Sequence, residues 1–367
     1  MSKPEKIVFI GLETYSLMGG LQQFNRRFIK ALANRAAKNN GTRPQIVLRR
    51  DQTSDMPTDV DADFRPCGTS VLRMFHEAMV AARGADILVA GHVNLLSVLT
   101  ACSVIAPRAP RILVVHGDEV WGDPVYRARK PFDAPMMRRL DRVVSVSQFT
   151  ANRMAKTFGL SPEMFSIFRN AVDEIPSPDQ TQPKQPNILC VTRLAEHDHG
   201  KNVDKLLRAF AVLKTQNLEA TLTIVGDGVL RHGLEKLSLE LGISEHVRFT
   251  GRVSDKSLAA AYSSASVFCL PSEKEGFGIV YLEAWLRGLP VICGDRDAAQ
   301  EIVSGGVDGY IVDPSNIEEF ASQLGKLLAQ TETAREMGAR GRSKVEAQYL
   351  MPHFENQLKS ILDSVKA

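Results

Sequence analysis

No uninterrupted hydrophobic stretch in this chain approaches the ~20 residues that a bilayer crossing needs. The N-terminus, Met-Ser-Lys-Pro-Glu-Lys, leads straight toward a strand without the apolar core of a secretory leader. Cysteine is scarce: Cys67, Cys102, Cys190, Cys269 and Cys293 are scattered, and no pair has Cys-x-x-Cys spacing. That pattern excludes a disulfide scaffold and a structural thiolate-zinc site; the thiols read as reduced core residues of a cytoplasmic protein. A Gly-x-Gly-x-x-Gly fingerprint is missing, which weakens a dinucleotide-binding reading. Tandem repeats, low-complexity tracts and the basic-aromatic interleaving of a nucleic-acid binder are missing too, so nucleic acid is not an expected partner.

What remains is the composition of a soluble globular protein, 44% hydrophobic and 24% charged, with 367 residues suggesting two domains. The net charge of +3 conceals an imbalance. Residues 1–173 hold 24 Lys and Arg against 16 Asp and Glu, while the remainder holds 21 against 26. A basic first half suits an anionic partner such as membrane phospholipid or a lipid-linked diphosphate. Residues 174–186 carry four prolines among Ser, Gln and Asp, the composition of a linker. The domain boundary is expected there.

Short apolar runs at 6–11, 45–48, 86–90, 111–115, 141–146 and 165–168 read as buried strands. So do 187–191, 220–225, 247–251, 266–270 and 291–293 after the linker. Helical periodicity fills most intervals, so the expected class is α/β, two Rossmann-like domains. Residues 51–69 are acidic and proline-containing and read as an irregular surface loop. His116 and Asp118 fall at the C-terminal end of the strand 111–115, the edge where doubly wound sheets gather ligands. The run His197-Asp198-His199 invites a metal reading, but three adjacent residues on a loop seldom make a site, and no metal is expected.

The densest stretch is 271–290, Pro-Ser-Glu-Lys-Glu-Gly-Phe-Gly-Ile-Val-Tyr-Leu-Glu-Ala-Trp-Leu-Arg-Gly-Leu-Pro. A strand ends at Pro271. Gly276 and Gly278 flank Phe277 in a tight turn, and helical spacing runs from Ile279 until Gly288 and Pro290 stop it. Strand, glycine turn and helix N-terminus together make an anion site. Glu275 and Glu283 bracket the turn and can hold opposite ends of one extended ligand.

Residues 271–291 resemble the signature of retaining GT-B glycosyltransferases, in particular glycosyltransferase family 4. That signature reads Pro-Ser-x-x-Glu-Gly-Phe-Gly-x-x-x-x-Glu-Ala-x-x-x-Gly-x-Pro-Val. The resemblance implies two domains facing across a cleft: 1–173 on the acceptor side, 187–350 for a nucleotide-sugar donor, and 351–367 as a helix returning to the first. It implies that Glu275 contacts donor-sugar hydroxyls and Glu283 the ribose. The backbone of Gly276, Phe277, Gly278 and Ile279 would face sugar and phosphates. By the same resemblance Arg193 and Lys201 hold the donor diphosphate, Gly19 and Gly20 contact it from the first domain, and His116 lies near donor sugar and acceptor. The loop at Val253 would meet the base through its backbone.

Transfer of a hexose from a nucleoside-diphosphate sugar, with retention and without metal or other cofactor, is therefore the expected reaction. Either GDP-mannose or a UDP-hexose would serve as donor. Asp118, Trp121, Arg127, Arg129 and Lys130 are expected on the acceptor side or against an anionic inner-membrane surface. The expected acceptor is a lipid-linked oligosaccharide or cell-surface polysaccharide precursor, with the enzyme cytoplasmic and peripheral at the membrane. Three readings stay open beside it: a transferase to a small soluble acceptor, another GT-B activity such as an epimerase, and a non-catalytic nucleotide-sugar binder.

Overall fold

The computed structural model describes residues 5–39, 41–176, 186–215 and 219–366. The chain forms two compact units, Met1–Ala171 with Met351–Ala367, and Val172–Leu350. Residues 177–185 of the expected linker lie outside the described residues.

In the first unit the elements run β1 (Ile7–Gly11), α1 (Gly20–Lys38), β2 (Gln45–Leu48), β3 (Asp63–Pro66), α2 (Val71–Ala82), β4 (Ile87–Ala90) and α3 (Leu96–Ile105). They continue with β5 (Arg111–Val115), α4 (Asp133–Met137), β6 (Arg142–Ser145), α5 (Gln148–Phe158) and β7 (Phe165–Ile167). The sheet order is β3-β2-β1-β4-β5-β6-β7, all parallel. β1, β2 and β4 are buried throughout, which is why they read as continuous apolar runs rather than alternating ones. Strand order reverses between β1 and β4, and the crevice at their C-terminal ends is where such a sheet binds ligands.

The expected irregular loop at 51–69 is corrected here. β3 pairs with β2, Thr53–Asp55 is a 3-10 turn, and Asp51 and Cys67 are buried. Polar side chains build this edge: Gln45 donates to Asp63 at 2.5 Å, Arg65 donates to Gln45 at 3.1 Å, and Arg65 meets Glu77 at 2.8 Å. Hydrophobic periodicity does not register a strand held this way.

The last helix of the chain, α12 (Met351–Ser364), belongs to this first unit. Phe354 packs on Phe168 at 4.5 Å and on Phe24 at 5.5 Å, closing an aromatic cluster with Phe28 and Phe9. Full burial of such a side chain contributes about 2–3 kcal/mol. Asn34 donates to Glu355 at 2.6 Å and Arg35 to Asp363 at 2.6 Å, fixing the helix along α1.

The second unit runs β8 (Asn187–Val191), α6 (Val203–Thr215), β9 (Thr221–Val225), α7 (Leu230–Glu240), β10 (Val247–Gly251), α8 (Asp255–Ser264) and β11 (Val267–Leu270). Then come α9 (Ile279–Leu286), β12 (Val291–Gly294), β13 (Gly309–Val312), α10 (Ile317–Ala329) and α11 (Thr331–Gln348). The order β10-β9-β8-β11-β12-β13 is again fully parallel, with its reversal between β8 and β11. α9 buries Tyr281, Leu282, Ala284, Trp285 and Leu286, so it is a core helix rather than an amphipathic surface one. Its polar tips are satisfied inside: Tyr281 Oη donates to the Leu270 carbonyl at 2.6 Å, and Trp285 Nε1 to that of Asp308 at 2.9 Å. The helix N-terminus that follows the glycine turn is thereby fixed from within the core.

Candidate active site

The β8–β11 reversal collects Arg193, Lys201 and Glu275, from loops that leave neighbouring strands. Two glycines set the loop after β8. Gly226 (φ +140°) and Gly228 (φ +153°) lie so close to it that a Cβ would fall 1.7 Å from the Thr192 carbonyl oxygen and 2.2 Å from that of Leu194. Backbone bonds complete the clamp: Thr192 N–H to Val225 O at 3.0 Å, and Leu194 N–H to Asp227 O at 3.1 Å. The Gly-Asp-Gly turn thus presents Arg193, whose side chain is 68% exposed and touches buried Asp198 at 3.3 Å on one edge only. Asp198 also accepts from the Ala195 N–H at 3.2 Å. It shapes the loop, and no group of three or more His, Cys, Asp or Glu side chains placed to hold a metal occurs among the described residues.

Lys201 is the opposite case. Its ammonium donates to Glu275 Oε1 at 2.5 Å and to the Lys274 carbonyl at 3.3 Å, with side-chain exposures of 11% for Lys201 and 17% for Glu275. Burial alone would lower the Lys201 pKa, but the adjacent carboxylate outweighs it and the net shift is upward. Asn202, next to it, takes the left-handed conformation (φ +54°) and donates to the Pro271 carbonyl at 2.8 Å, while the Glu273 N–H reaches Gly200 O at 2.8 Å. The lysine loop and the glutamate loop are therefore laced together.

Gly278 is the N-cap of α9 with φ +92°, a region that L side chains rarely adopt, and a Cβ there would meet the Tyr281 ring at 2.5 Å. The Ile279 and Val280 amides that follow have no i−4 carbonyl, leaving donors and a partial positive charge for an anion, while the Tyr281 N–H turns back to the Gly278 carbonyl at 3.1 Å. Phe277 itself is buried against Tyr349, so only its backbone can serve a ligand. Glu283, half-buried on α9, accepts from Tyr262 Oη at 3.0 Å. Tyr262 is fully buried, with the Arg287 guanidinium 4.8 Å above its ring. Sequence reasoning missed Tyr262. Its only signal was a lone aromatic in an Ala- and Ser-rich helix. Val253 is half-buried between β10 and the Ser254 cap of α8.

In the first unit, Gly19 caps α1 and Gly20 begins it. The loop before them is held by Asp51, a residue that had been grouped with the irregular loop. It accepts from the N–H groups of Thr14, Tyr15 and Ser16, each at 2.8 Å, while Arg26 donates to the Thr14, Tyr15 and Leu17 carbonyls. His116, after β5, packs edge-on against Phe24 and bonds the Gly91 carbonyl through Nε2 at 3.0 Å. A carbonyl only accepts, so Nε2 carries the proton and Nδ1 is left as an acceptor. Burial pushes the His116 pKa down to about 4, against the smaller upward pull of that hydrogen bond, so the ring is neutral at pH 7. His92, after β4, is lowered to about 3, chiefly by burial and then by His116. Neither His92 nor Glu119, which accepts the His116 N–H at 2.6 Å, was anticipated.

Two expected acceptor-side residues are corrected. Trp121 is core: it is 5% exposed, donates to Thr150 Oγ1 at 3.3 Å and is covered by Arg153. Arg127 is spent in a buried bidentate pair with Asp133, 2.8 Å on both arms, and donates to Asn94 at 2.8 Å. Arg129 and Lys130 are exposed, beside exposed Phe132 and Val125, and Asp118 opens a short 3-10 turn.

Comparison with known proteins decides the family. Residues 18–174 match Glycosyltransferase Family 4 and residues 172–344 match Glycosyl transferases group 1. The chain belongs to glycosyltransferase family 4. A relative from Mycobacterium tuberculosis, named as a GDP-mannose-dependent alpha-(1-6)-phosphatidylinositol monomannoside mannosyltransferase, is 31% identical over 275 residues, 67% of this chain and 69% of its own length. A Corynebacterium glutamicum enzyme, named as the GDP-mannose-dependent monoacylated alpha-(1-6)-phosphatidylinositol monomannoside mannosyltransferase, is 25% identical over 99% of both chains. Among solved structures, Anabaena Alr3699/HepE in complex with UDP superposes with a TM-score of 0.78 at 19% identity, covering 98% of this chain and 100% of that one. That likeness establishes the GT-B fold, two Rossmann-like domains, for this family 4 chain.

Proposed function

We propose that this enzyme transfers a mannosyl group from GDP-mannose to a hydroxyl of a membrane glycolipid, with retention at the anomeric carbon and without a metal. The observation that carries the reading is the Lys201–Glu275 pair at the β8–β11 reversal, beside exposed Arg193 and the N-terminus of α9. The named activities of its relatives favour GDP-mannose over a UDP-hexose, and a glycolipid over a soluble acceptor.

In this reaction the bond between the anomeric carbon and the β-phosphate oxygen breaks and the acceptor oxygen bonds to the same carbon. The acceptor proton passes to the departing phosphate, so no protein nucleophile is required. Negative charge grows on the diphosphate as the bond lengthens. Arg193, Lys201 and the α9 amides are the preorganised groups that meet it. Glu275 aligns the sugar through its hydroxyls while it holds Lys201 in place. Glu283, oriented by Tyr262, takes the ribose. His116, uncharged, keeps Nδ1 as an acceptor for a substrate hydroxyl at the first unit's sheet edge.

No helix among the described residues is long and apolar enough to cross a membrane. Arg129, Lys130, Arg138 and Arg139 are exposed within one stretch of chain that also holds Phe132, 72% exposed, and we assign this basic and aromatic stretch to an anionic bilayer face. The test is a thermal-shift screen of GDP, UDP and ADP sugars, followed by transfer to phosphatidylinositol mannoside in vesicles with and without EDTA. Stabilisation by GDP-mannose and EDTA-insensitive transfer support the assignment. Stabilisation by UDP sugars alone, or loss of turnover on chelation, refutes it.

A further inference from the structure

The loop after β12 carries a buried carboxylate that the reaction as described does not use. Asp297 is 2% exposed. Its Oδ2 accepts the Glu275 N–H at 2.8 Å and its Oδ1 accepts the Ala299 N–H at 2.9 Å. The next residue returns the contact, Ala298 N–H to Glu275 O at 3.2 Å. Both backbone groups of Glu275 are thus held by one short segment. Arg296, half exposed, ties the same two loops through Glu273 at 2.9 Å and reaches Asp313 at 3.4 Å.

We propose that Asp297 is the positioning residue of the site: it fixes the Glu275 backbone so that the carboxylate meets Lys201 and the donor sugar in one orientation. The proposal rests on the donor-site reading given above. The chemistry favours an ionised carboxylate over any neutral side chain, because both oxygens face N–H donors and an O–H or an amide NH2 would turn a donor against a donor. The surroundings oppose ionisation. Burial first, and the Glu275 carboxylate second, push Asp297 up to about 7, with Lys201 pulling the other way. The other titratable groups facing it are Tyr281 and Cys293, both buried and raised. A carboxyl held near neutrality beside the active glutamate couples the donor-sugar contact to pH: as pH falls below 7 the Asp297 proton displaces one N–H bond and the Glu275 turn loosens.

The experiment compares wild type, Asp297→Asn and Glu275→Gln in the full chain. It measures GDP release from GDP-mannose with phosphatidylinositol mannoside vesicles from pH 5.5 to 8.5, and GDP binding by calorimetry. Asp297→Asn should lower kcat at least tenfold at pH 8 with GDP affinity within twofold. It should also abolish the acidic limb near pH 7 that wild type shows in kcat. A purely structural role would not remove that limb. Wild-type kcat and pH profile in Asp297→Asn, with Glu275→Gln inactive, would overturn this inference and leave the site reading standing. Full activity in Glu275→Gln would sink the site reading itself. Should Asp297→Asn not fold, the wild-type profile decides alone: a kcat flat through pH 7 rejects the proposal.

Discussion

Replacing Glu275 by Gln should tighten GDP binding while it destroys turnover. The Lys201 ammonium sits 2.5 Å from Glu275, and a phosphate oxygen sharing it would lie at the ~2.8 Å of a charge-assisted bond. Two anions are then held about 5 Å apart, which at an effective dielectric of ~20 costs about 3 kcal/mol. Side-chain exposures of 11% and 17% admit some water. Screening reduces the repulsion to about 1.5 kcal/mol, roughly tenfold in affinity. Glu275→Gln removes the competing anion and frees the lysine, so GDP should bind about tenfold more tightly by calorimetry. Lys201→Ala removes the cation and leaves Glu275 facing the phosphates, so GDP should bind about 30- to 100-fold more weakly. Both variants should lose most of kcat, and both should melt lower, because breaking a largely buried pair costs about 2–3 kcal/mol. Equal weakening of GDP by the two substitutions would refute the claim that Glu275 opposes the diphosphate.

Tyr262→Phe removes the hydroxyl that holds Glu283 Oε2, and should weaken GDP about three- to tenfold with kcat changed less than twofold; unchanged calorimetric affinity counts against the ribose role. The first unit should lose stability on acidification. The unfolded His116 titrates near 6.5 and the folded one at about 4, so its contribution is complete above pH 6.5 and is lost as pH falls toward 4. That amounts to about 3 kcal/mol, and His116→Gln should flatten the dependence in chemical denaturation. Charge reversal of Arg129 and Lys130 should reduce binding to vesicles of anionic phospholipid by tenfold or more, at about 1 kcal/mol per charge near the surface. Reversal of Arg127 should instead destabilise the fold, since it strands buried Asp133; equal vesicle binding by the Arg129/Lys130 variant removes the membrane assignment.

Much of this was legible because the determining features are local in sequence. Buried parallel strands leave continuous apolar runs, and a strand followed by Gly-Phe-Gly and an apolar helix makes the glycine-capped N-terminus of α9 legible within twenty residues. That Lys201 and Glu275 would serve one donor was implied only by the family resemblance, and their direct ion pair, between residues 74 apart in sequence, was not expected. Trp121 and Arg127 misled because an aromatic and a cation beside a ligand edge look the same in sequence whether they face solvent or the core. Only the partners Thr150, Asn94 and Asp133 separate the two cases. β3 escaped for the converse reason: its side chains are polar and spent on one another.

The acids that went unread share one function, and it explains why no periodicity exposes them. Asp51 gathers three N–H groups of the β1–α1 loop, Glu119 takes the His116 N–H, Asp133 takes that of Lys130, and Asp297 takes those of Glu275 and Ala299. Ligand loops at the C-terminal edge of a parallel sheet have no ladder to satisfy their amides, and a buried orphan N–H costs ~1–3 kcal/mol. One inward carboxylate satisfies two or three of them and fixes the loop in a single shape. In sequence each is only an aspartate or glutamate in a polar segment, which composition assigns to solvent. The distinguishing mark is positional: Asp51, Glu119 and Asp297 follow the C-terminal ends of β2, β5 and β12 by three or four residues. For this fold an acid at that offset is better read as a support of the neighbouring ligand loop than as surface charge, and its replacement by the isosteric amide should loosen the loop before it unfolds the unit.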